Sequence, residues 1–282
     1  MSVQRAVHGG SDRAWRVGSY ALVFFFLAWV LIPILTVTLN SFKPATAIFT
    51  TTPDFSFLPT LDHYVDILAR GNFGRQFINS TIVAIGTAVL ALGFGTPAAY
   101  ALTRLPVHGA ERWFRVFLLA RMVPAVSLVV PLFVLLQMAG LKNTLPGLIL
   151  THTGFTLPLV VWMMRSFFQE VPKELEEAAV VDGASRWTTF WRVALPLTLP
   201  GLAATAVLVV FFSWNEFLFA QVLTGPATQT VPIGVSAFVG TVSVDWGGSS
   251  AAAVLAMVPM FILGLAIQRF LVSGLAMGAV KG

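Results

Sequence analysis

The chain has 282 residues, of which 57% are hydrophobic and only 10% carry a charge. It contains no cysteine, so disulfides and thiol chemistry are excluded. Soluble domains carry about 25% charged residues, so the composition excludes an ordinary soluble protein and indicates a polytopic membrane protein. The net charge of +5 is typical of the basic cytoplasmic loops of such proteins, and no basic patch interleaved with aromatic residues supports nucleic-acid binding.

Six apolar stretches are long enough to cross a bilayer, and each must be helical because lipid offers no partner for an unbonded backbone group. They are residues 17–39, 79–102, 113–137, 145–168, 199–221 and 250–272. The predicted fold class is therefore an all-α polytopic membrane protein with six transmembrane helices. Residues 1–16 are polar and basic, and the first stretch is longer than the apolar core of a signal peptide, so we expect a cytoplasmic N-terminal segment before an uncleaved first span.

The basic residues between the spans predict the orientation. With the N-terminus inside, most of the 17 Lys and Arg residues fall on the cytoplasmic side, and Arg121 falls within a span. The cytoplasmic set is Arg5, Arg13, Arg16, Arg104, Arg112, Arg115, Arg165, Lys173, Arg186, Arg192, Arg269 and Lys281, and the outer set is Lys43, Arg70, Arg75 and Lys142. This positive-inside bias predicts that both termini are cytoplasmic.

The first outer loop, 41–78, contains "LDHYVDIL" with apolar residues at helical spacing. The spacing predicts a short helix that lies on the membrane surface or packs over the transmembrane helices. Further along, the third span contains Pro124 and Pro131. Two prolines on one helix favour a kinked span that lines a cavity, although proline is also generally common in membrane helices.

Several polar side chains fall within or near the apolar stretches, where they face a protein interior or a water-filled cavity. At 1.5 Å per residue along straight helices, Arg121 would lie roughly 12 Å and Glu216 roughly 24 Å from the inner side, which argues against a direct ion pair. Two explanations fit His152: it is either a packed, hydrogen-bonded residue or part of a transport path. Arg121 and Glu216 either line a polar path or extend to the headgroup region. The candidate path residues are Arg121, Pro124, His152, Asn215 and Glu216.

No catalytic pattern is present in the chain. His8, His63, His108 and His152 are scattered without metal-ligand spacing, and neither a G-x-S-x-G elbow nor a P-loop occurs. We therefore expect no enzymatic activity and no cofactor in this chain, and any ATP that drives it must be hydrolysed by another subunit.

The segment "LEEAAVVDGASRWTTFWRVALPLTLP", residues 175–200, interrupts the spans with a helix–turn–helix pattern. Pro172 suits a helix start, acidic residues in the next turns favour the helix dipole, and Gly183 can end the helix in a left-handed conformation. Ser185 is a cap for a second helix. The apolar face of that helix is predicted to consist of Trp187, Phe190, Trp191 and Ala194. Such a segment either protrudes to dock in a groove of a partner or merely connects two spans.

The same segment resembles the EAA loop of permease subunits of binding-protein-dependent ABC importers. The match consists of Glu177, Ala178 and Ala179, then Gly183, then Leu195 and Pro196. The longer pattern resembles the carbohydrate branch of that family, the maltose-type second permease. Three further stretches support that branch: "SWNEFLFA" at 213–220, "TVPIGVSAF" at 230–238 and "GAVKG" at 278–282.

The resemblance implies a type I ABC importer permease fold over residues 17–282, with a coupling loop at about 170–198 that docks in a cytoplasmic ATPase subunit. Glu177 would pair with a basic residue of that subunit, and Gly183 would supply the turn. The implied ATPase-coupling residues are Glu177, Ala178, Ala179, Asp182, Gly183, Ala184, Lys281 and Gly282. The implied contacts to a binding protein are Thr230, Val231, Pro232, Ile233 and Gly234.

The resemblance also implies a set of partners in a bacterial plasma membrane. These are a second homologous permease, two copies of a cytoplasmic ATPase that carry ATP and Mg²⁺, and an extracytoplasmic sugar-binding protein. The implied function is uptake of a sugar or sugar alcohol, and the "ARMVP" and "LPLVVWMMRSFF" stretches are similar to permeases for monosaccharides and sugar alcohols. The alternatives are a permease for a peptide or amino acid and, as another class, an ion-coupled secondary transporter, which would be expected to show internal repeats.

Overall fold

The structure, a computed structural model, describes residues 4–48, 57–238 and 245–278. The described residues form helices joined by short turns, with no strand among them. The helices are α1 (Gln4–Phe42), α2 (Ala45–Ile48), α3 (Asp62–Val65), α4 (Phe73–Arg104), α5 (Ala110–Met122), α6 (Ala125–Met138), α7 (Leu145–Glu170), α8 (Lys173–Val181), α9 (Arg186–Thr189), α10 (Leu195–Leu197), α11 (Leu199–Trp214), α12 (Leu218–Leu223), α13 (Val231–Ser236) and α14 (Trp246–Gly278). Two π-helical turns, Asp66–Arg70 and Phe190–Ala194, follow α3 and α9.

The predicted spans correspond to four long apolar helices and two bent helix pairs. Within the described ranges, the long helices are Trp15–Phe42, Phe73–Arg104, Leu145–Glu170 and Trp246–Ala266, and the bent pairs are Ala110–Met122 with Ala125–Met138 and Arg186–Leu197 with Leu199–Trp214. Counting each bent pair as one span gives up to six spans, which agrees with the six predicted from hydropathy. The all-α fold class is confirmed.

The two bent pairs have different local causes. Between α5 and α6 the chain turns by 95°, and Pro124 occupies the cap position of α6 with extended backbone angles. Pro131 lies inside α6, so only the first of the two predicted prolines coincides with a break in the span. The second bend, of 78°, falls at Thr198 between α10 and α11, where Pro200 stands in the first turn of α11.

The chain divides into two compact units, the first formed by Met1–Arg70 with Phe238–Val254. In this unit the most apolar window of α1 buries none of its residues within the chain, as expected for a helix that faces lipid or another subunit. The "LDHYVDIL" segment is helical, as predicted, and the Tyr64 hydroxyl lies 2.7 Å from the Ser41 hydroxyl. Ile67 is buried, whereas Leu61, Val65 and Leu68 are exposed.

The second unit comprises Gly71–Ala237 with Leu255–Gly282 and is built around the pair α4 and α7. Small residues let the two helices approach closely: a Cβ at Gly86 would lie 2.8 Å from Ile149 Cδ1, and one at Gly95 would lie 2.7 Å from Val160 Cγ1. The apolar core beside this contact joins α4, α7, the π-helical turn Phe190–Ala194 and α11. Its fully buried members include Ala91, Ala99, Val160, Val161, Met164, Phe168, Ala194 and Val209.

Candidate functional site

The helix–turn predicted at 173–183 is present and ends in a regular capping motif. α8 runs from Lys173 to Val181, and Gly183 has a φ of 89°. The Gly183 N–H donates to the Val180 carbonyl at 3.0 Å, and the Ala184 N–H donates to the Ala179 carbonyl at 2.9 Å. These two bonds are the pair that defines the Schellman motif, in which a left-handed glycine closes the helix.

This capped turn is exposed within the chain. Glu177, Ala178, Asp182 and Gly183 are exposed, and Ala179 and Ala184 are half-buried. We name residues 177–184 the EAA turn. Its exposed carboxylates and rigid backbone form a defined shape on the surface of the second unit, which suits insertion into a groove of another protein.

Gly183→Ala is expected to lower the free energy of unfolding by about 1 kcal/mol, because an L-residue is strained in the left-handed region. A Cβ at this position would meet nothing within 4 Å, so crowding within the chain adds no further cost. Gly183→Asn is the matched control, since asparagine tolerates this conformation, and its cost should be smaller. Denaturant unfolding of both variants in mixed micelles measures the difference, and equal costs would contradict the backbone explanation.

A buried polar cluster fixes α8 to the spans, and the sequence did not predict it. Glu176, grouped by sequence with the helix-start acids, is only 5% exposed. Its Oε1 lies 3.0 Å from Arg104 Nε. The two groups form an ion pair, but their geometry does not meet that of a hydrogen bond. Its Oε2 accepts a hydrogen bond of 2.8 Å from the Tyr100 hydroxyl.

Arg104 extends this cluster to a third helix. Its Nη2 donates to the carbonyls of Phe168 and Val171, at the C-terminal end of α7. One guanidinium therefore joins the end of α4, the end of α7 and the first turn of α8. We name Tyr100, Arg104 and Glu176 the anchor cluster. The sequence contains one sign of this cluster, since Tyr100 and Arg104 are one turn apart on α4. Their partner Glu176, however, lies more than 70 positions away along the chain.

The second helix of the segment differs from the predicted amphipathic helix. Phe190 and Ala194 are buried, as predicted, and the Phe190 ring lies 4.9 Å from that of Tyr100. Trp187 and Trp191 are 62% and 50% exposed within the chain, but their rings lie 5.7 Å apart and 5.7 Å and 5.1 Å from the Phe190 ring, so the three aromatic residues share one face, as predicted. The helix differs from the prediction in containing the π-helical turn Phe190–Ala194. Ser185 caps α9 as predicted, accepting from the Thr188 N–H at 3.1 Å.

Three of the candidate path residues line one cavity in the second unit. Arg121 at the end of α5, His152 on α7 and Glu216 between α11 and α12 surround a space of about 160 Å³. No ion pair joins Arg121 to Glu216 among the described contacts, as expected. The straight-helix estimate nevertheless placed them at different depths, whereas both side chains line this one cavity.

His152 and Glu216 are tied together at the edge of this cavity. His152 Nε2 lies 3.2 Å from Glu216 Oε2, and His152 Nδ1 lies 2.8 Å from the Ser213 hydroxyl. Glu216 also accepts the backbone N–H groups of Phe219 at 2.8 Å and Ala220 at 3.1 Å, at the start of α12. His152 is therefore a buried, hydrogen-bonded residue that also lines the cavity, and its place on a transport path stays a prediction.

The other two candidate path residues have different surroundings. Pro124 marks the α5–α6 break, next to the cavity-lining Ala125. Asn215 is exposed and donates to the Phe211 carbonyl at 2.8 Å, and it is not among the residues that line the cavity.

The segment expected to contact a binding protein is held against α4. Thr230, Val231, Ile233 and Gly234 are buried, and Pro232 is half-buried. The Val231 N–H donates to the Ser80 hydroxyl at 2.8 Å, and Asn79 Nδ2 donates to the carbonyls of residues 227 and 229. Exposed surface in this region begins at Ser236 and Ala237. Lys281 and Gly282 lie outside the described residues.

The described part of the chain contains no group of three His, Cys, Asp or Glu residues placed to hold a metal ion. Among the described residues of the second unit, the ion pairs are Arg104–Glu176 beside the EAA turn, His152–Glu216 at the cavity, and Arg165–Glu111 at 2.6 Å.

Comparison with known proteins identifies relatives over almost the whole chain. The family described as "Binding-protein-dependent transport system inner membrane component" matches residues 91–277. The trehalose transport system permease protein SugB of Mycobacterium tuberculosis is 37% identical over 262 residues, which cover 91% of this chain and 94% of that protein. The trehalose/maltose transport system permease protein MalG of Thermococcus litoralis is 37% identical over 239 residues, covering 83% of this chain and 86% of that protein.

A solved structure has the same fold. A chain from the crystal structure of a bacterial ABC transporter involved in the import of the acidic polysaccharide alginate superimposes with a TM-score of 0.78, covering 92% of this chain and 97% of that one. Its sequence identity of 22% supports the fold alone. The predicted importer permease fold is thereby confirmed.

Proposed function

Because the chain belongs to the family of inner membrane components of binding-protein-dependent transport systems, we propose that it is the permease subunit of an ATP-driven importer for a sugar or sugar alcohol. Relatives named for trehalose and maltose transport, 37% identical to this chain, support a carbohydrate cargo. In this proposal a solute-binding protein delivers the sugar, and a second homologous permease completes the pathway. The chain itself is not an enzyme.

The observation that carries the proposal is the EAA turn on its anchor cluster. An exposed, capped turn next to a buried ion pair is a docking element that is rigidly connected to the spans. The sequence contains no P-loop, so ATP and Mg²⁺ are bound by the partner ATPase. We propose that Glu177 pairs with a basic residue in a groove of that subunit, with Ala178, Ala179, Asp182, Gly183 and Ala184 filling the rest of the contact.

The coupling mechanism follows from the connections of the anchor cluster. ATP binding draws the two ATPase subunits together and moves the docked α8. Arg104 bonds to Glu176 and to the carbonyl groups at the end of α7, so a displacement of α8 is transmitted to α4 and α7 together. Since α4 and α7 form the central pair of the second unit, their movement alternates access to the pathway between the two sides of the membrane.

The membrane orientation in this proposal places both termini and the EAA turn in the cytoplasm of a bacterium. The excess of Lys and Arg residues on that side supports it. The segment 230–238 then lies on the opposite side, where the exposed Ser236 and Ala237 are accessible to the binding protein. Residues 230–234, which are buried except for the half-buried Pro232, support these two residues.

Purification of the tagged chain from its own membranes in mild detergent tests the proposal. Mass spectrometry should identify a P-loop ATPase, a second permease with an EAA segment and a sugar-binding protein. The same purification from cells that express Glu177→Lys should retain the second permease and lose the ATPase. Recovery of the chain without any of these partners, in a form still competent for uptake without ATP, would contradict the proposal.

A further inference from the structure

We infer that the cavity bounded by Arg121, His152 and Glu216 is a subsite in which this chain itself binds the hydroxyl groups of a neutral sugar or sugar alcohol. The inference rests on the proposed function and deepens it, because it assigns cargo contacts to named residues of this permease. It also narrows the cargo to a neutral molecule.

The acceptor of the subsite is the Glu216 carboxylate. Its side chain is 20% exposed and lines the cavity. An ionised carboxylate offers about four lone-pair positions, and three donors reach it here, namely His152 Nε2, the Phe219 N–H and the Ala220 N–H. One position is left for a hydroxyl donor from the cavity. The three protein bonds fix the carboxylate before a ligand enters, which lowers the cost of binding.

His152 holds the Glu216 carboxylate in position and does not itself bind the ligand. Its side chain is 2% exposed. A carboxylate only accepts hydrogen bonds, so Nε2 carries the proton directed at Glu216, and Nδ1 lies 2.8 Å from the Ser213 hydroxyl. The Thr87 hydroxyl on α4 lies 3.5 Å from the Ser213 hydroxyl and continues the chain of polar groups toward the core.

The donor of the subsite is the Arg121 guanidinium. Nη1 donates to the Phe155 carbonyl at 3.0 Å, and the guanidinium carbon lies 5.1 Å from the centre of the Phe212 ring. A guanidinium has about five N–H donors, so the described contact leaves others for ligand oxygens. The side chain is exposed at the end of α5, where the break at Pro124 redirects the span.

The charge and shape of the cavity favour a neutral, ring-sized polyol. The positive charge of Arg121 and the negative charge of Glu216 cancel. Together the two side chains offer a hydrogen-bond donor and a hydrogen-bond acceptor, which is the pair that a hydroxyl group needs. Phe155 and Phe212 supply aromatic surface for the C–H face of a sugar. Pockets for drug-sized ligands have about 300–1,000 Å³, so this cavity of about 160 Å³ suits a single ring or a short polyol chain.

The test measures sugar uptake and ATP hydrolysis together in the assembled importer. The complex is reconstituted in proteoliposomes with its copurified binding protein, and radiolabelled trehalose, maltose and mannitol are the probes. Glu216→Gln and Arg121→Gln should keep ATP hydrolysis near that of the unmodified complex while the amount of sugar delivered per ATP falls about tenfold. Arg75→Gln, an exposed arginine on α4 outside the cavity, is the control and should leave both quantities unchanged.

Two results would overturn the inference. An unchanged ratio of sugar to ATP in both variants would mean that the cargo does not use these groups. A parallel fall in hydrolysis and uptake would mean that the cavity residues serve the packing of the spans. The proposed function itself fails if the unmodified complex transports none of the three probes and its ATP hydrolysis does not respond to the binding protein. The first two results overturn only the subsite and leave the proposed function standing.

Discussion

Glu177→Lys is expected to abolish ATP-coupled uptake while the chain still inserts in the membrane at its normal level. Glu177 is exposed on α8, and the substitution places a second positive charge against the basic residue proposed for the ATPase groove. Replacing one partner of such a pair costs about 2–5 kcal/mol of binding, which is enough to separate the subunits at cellular concentrations. Sugar uptake by whole cells, with immunodetection of the chain in the membrane fraction, measures the effect.

The control for this variant is Glu170→Lys, which makes the same change at an exposed position at the end of α7, outside the EAA turn. Uptake in the control should stay close to that of the unmodified protein. Normal uptake by Glu177→Lys would exclude the coupling role assigned to the EAA turn, whereas failure of both variants would point to a general effect of added positive charge.

Glu176→Gln is expected to destabilise the chain by about 3–5 kcal/mol, because it leaves the buried Arg104 guanidinium without its counter-charge. The side chains of Arg104 and Glu176 are 6% and 7% exposed, so water replaces little of the lost interaction. The free energy of unfolding in mixed micelles measures the loss. Uptake should fall as well, because α8 would no longer move together with the ends of α4 and α7.

The matched control is Glu174→Gln, an exposed glutamate two positions earlier on the same helix. It should change the free energy of unfolding by less than about 0.5 kcal/mol, as surface substitutions usually do. If the two variants unfold with the same free energy, the anchor cluster does not stabilise α8, and the proposed route of coupling through Arg104 is lost.

Much of the fold could be predicted from the sequence because lipid imposes a simple rule on length and hydropathy. The six predicted stretches correspond to the four long helices and two bent pairs, and the turn at Gly183 follows from local residue preferences. The break at Pro124 was predicted only as one of two proline kinks, since hydropathy does not show which proline interrupts the helix.

The parts that sequence did not predict depend on contacts between distant positions. Glu176 was grouped with the other acids at the start of α8, because its partner Arg104 is on a different helix. The π-helical turn Phe190–Ala194 was not predicted either. The sequence placed Arg121, His152 and Glu216 in one candidate path, but the cavity that they share depends on how α5, α7 and the α11–α12 connection pack.

The most direct test of the central claim is the energy source of uptake in proteoliposomes that contain the complete complex and its binding protein. We predict that uptake of the probe sugar requires ATP in the compartment that faces the EAA turn and continues after ionophores have collapsed all ion gradients. Uptake by this chain alone, without ATP and abolished by the ionophores, would show an ion-coupled secondary transporter and would contradict the assignment of a permease driven by a partner ATPase.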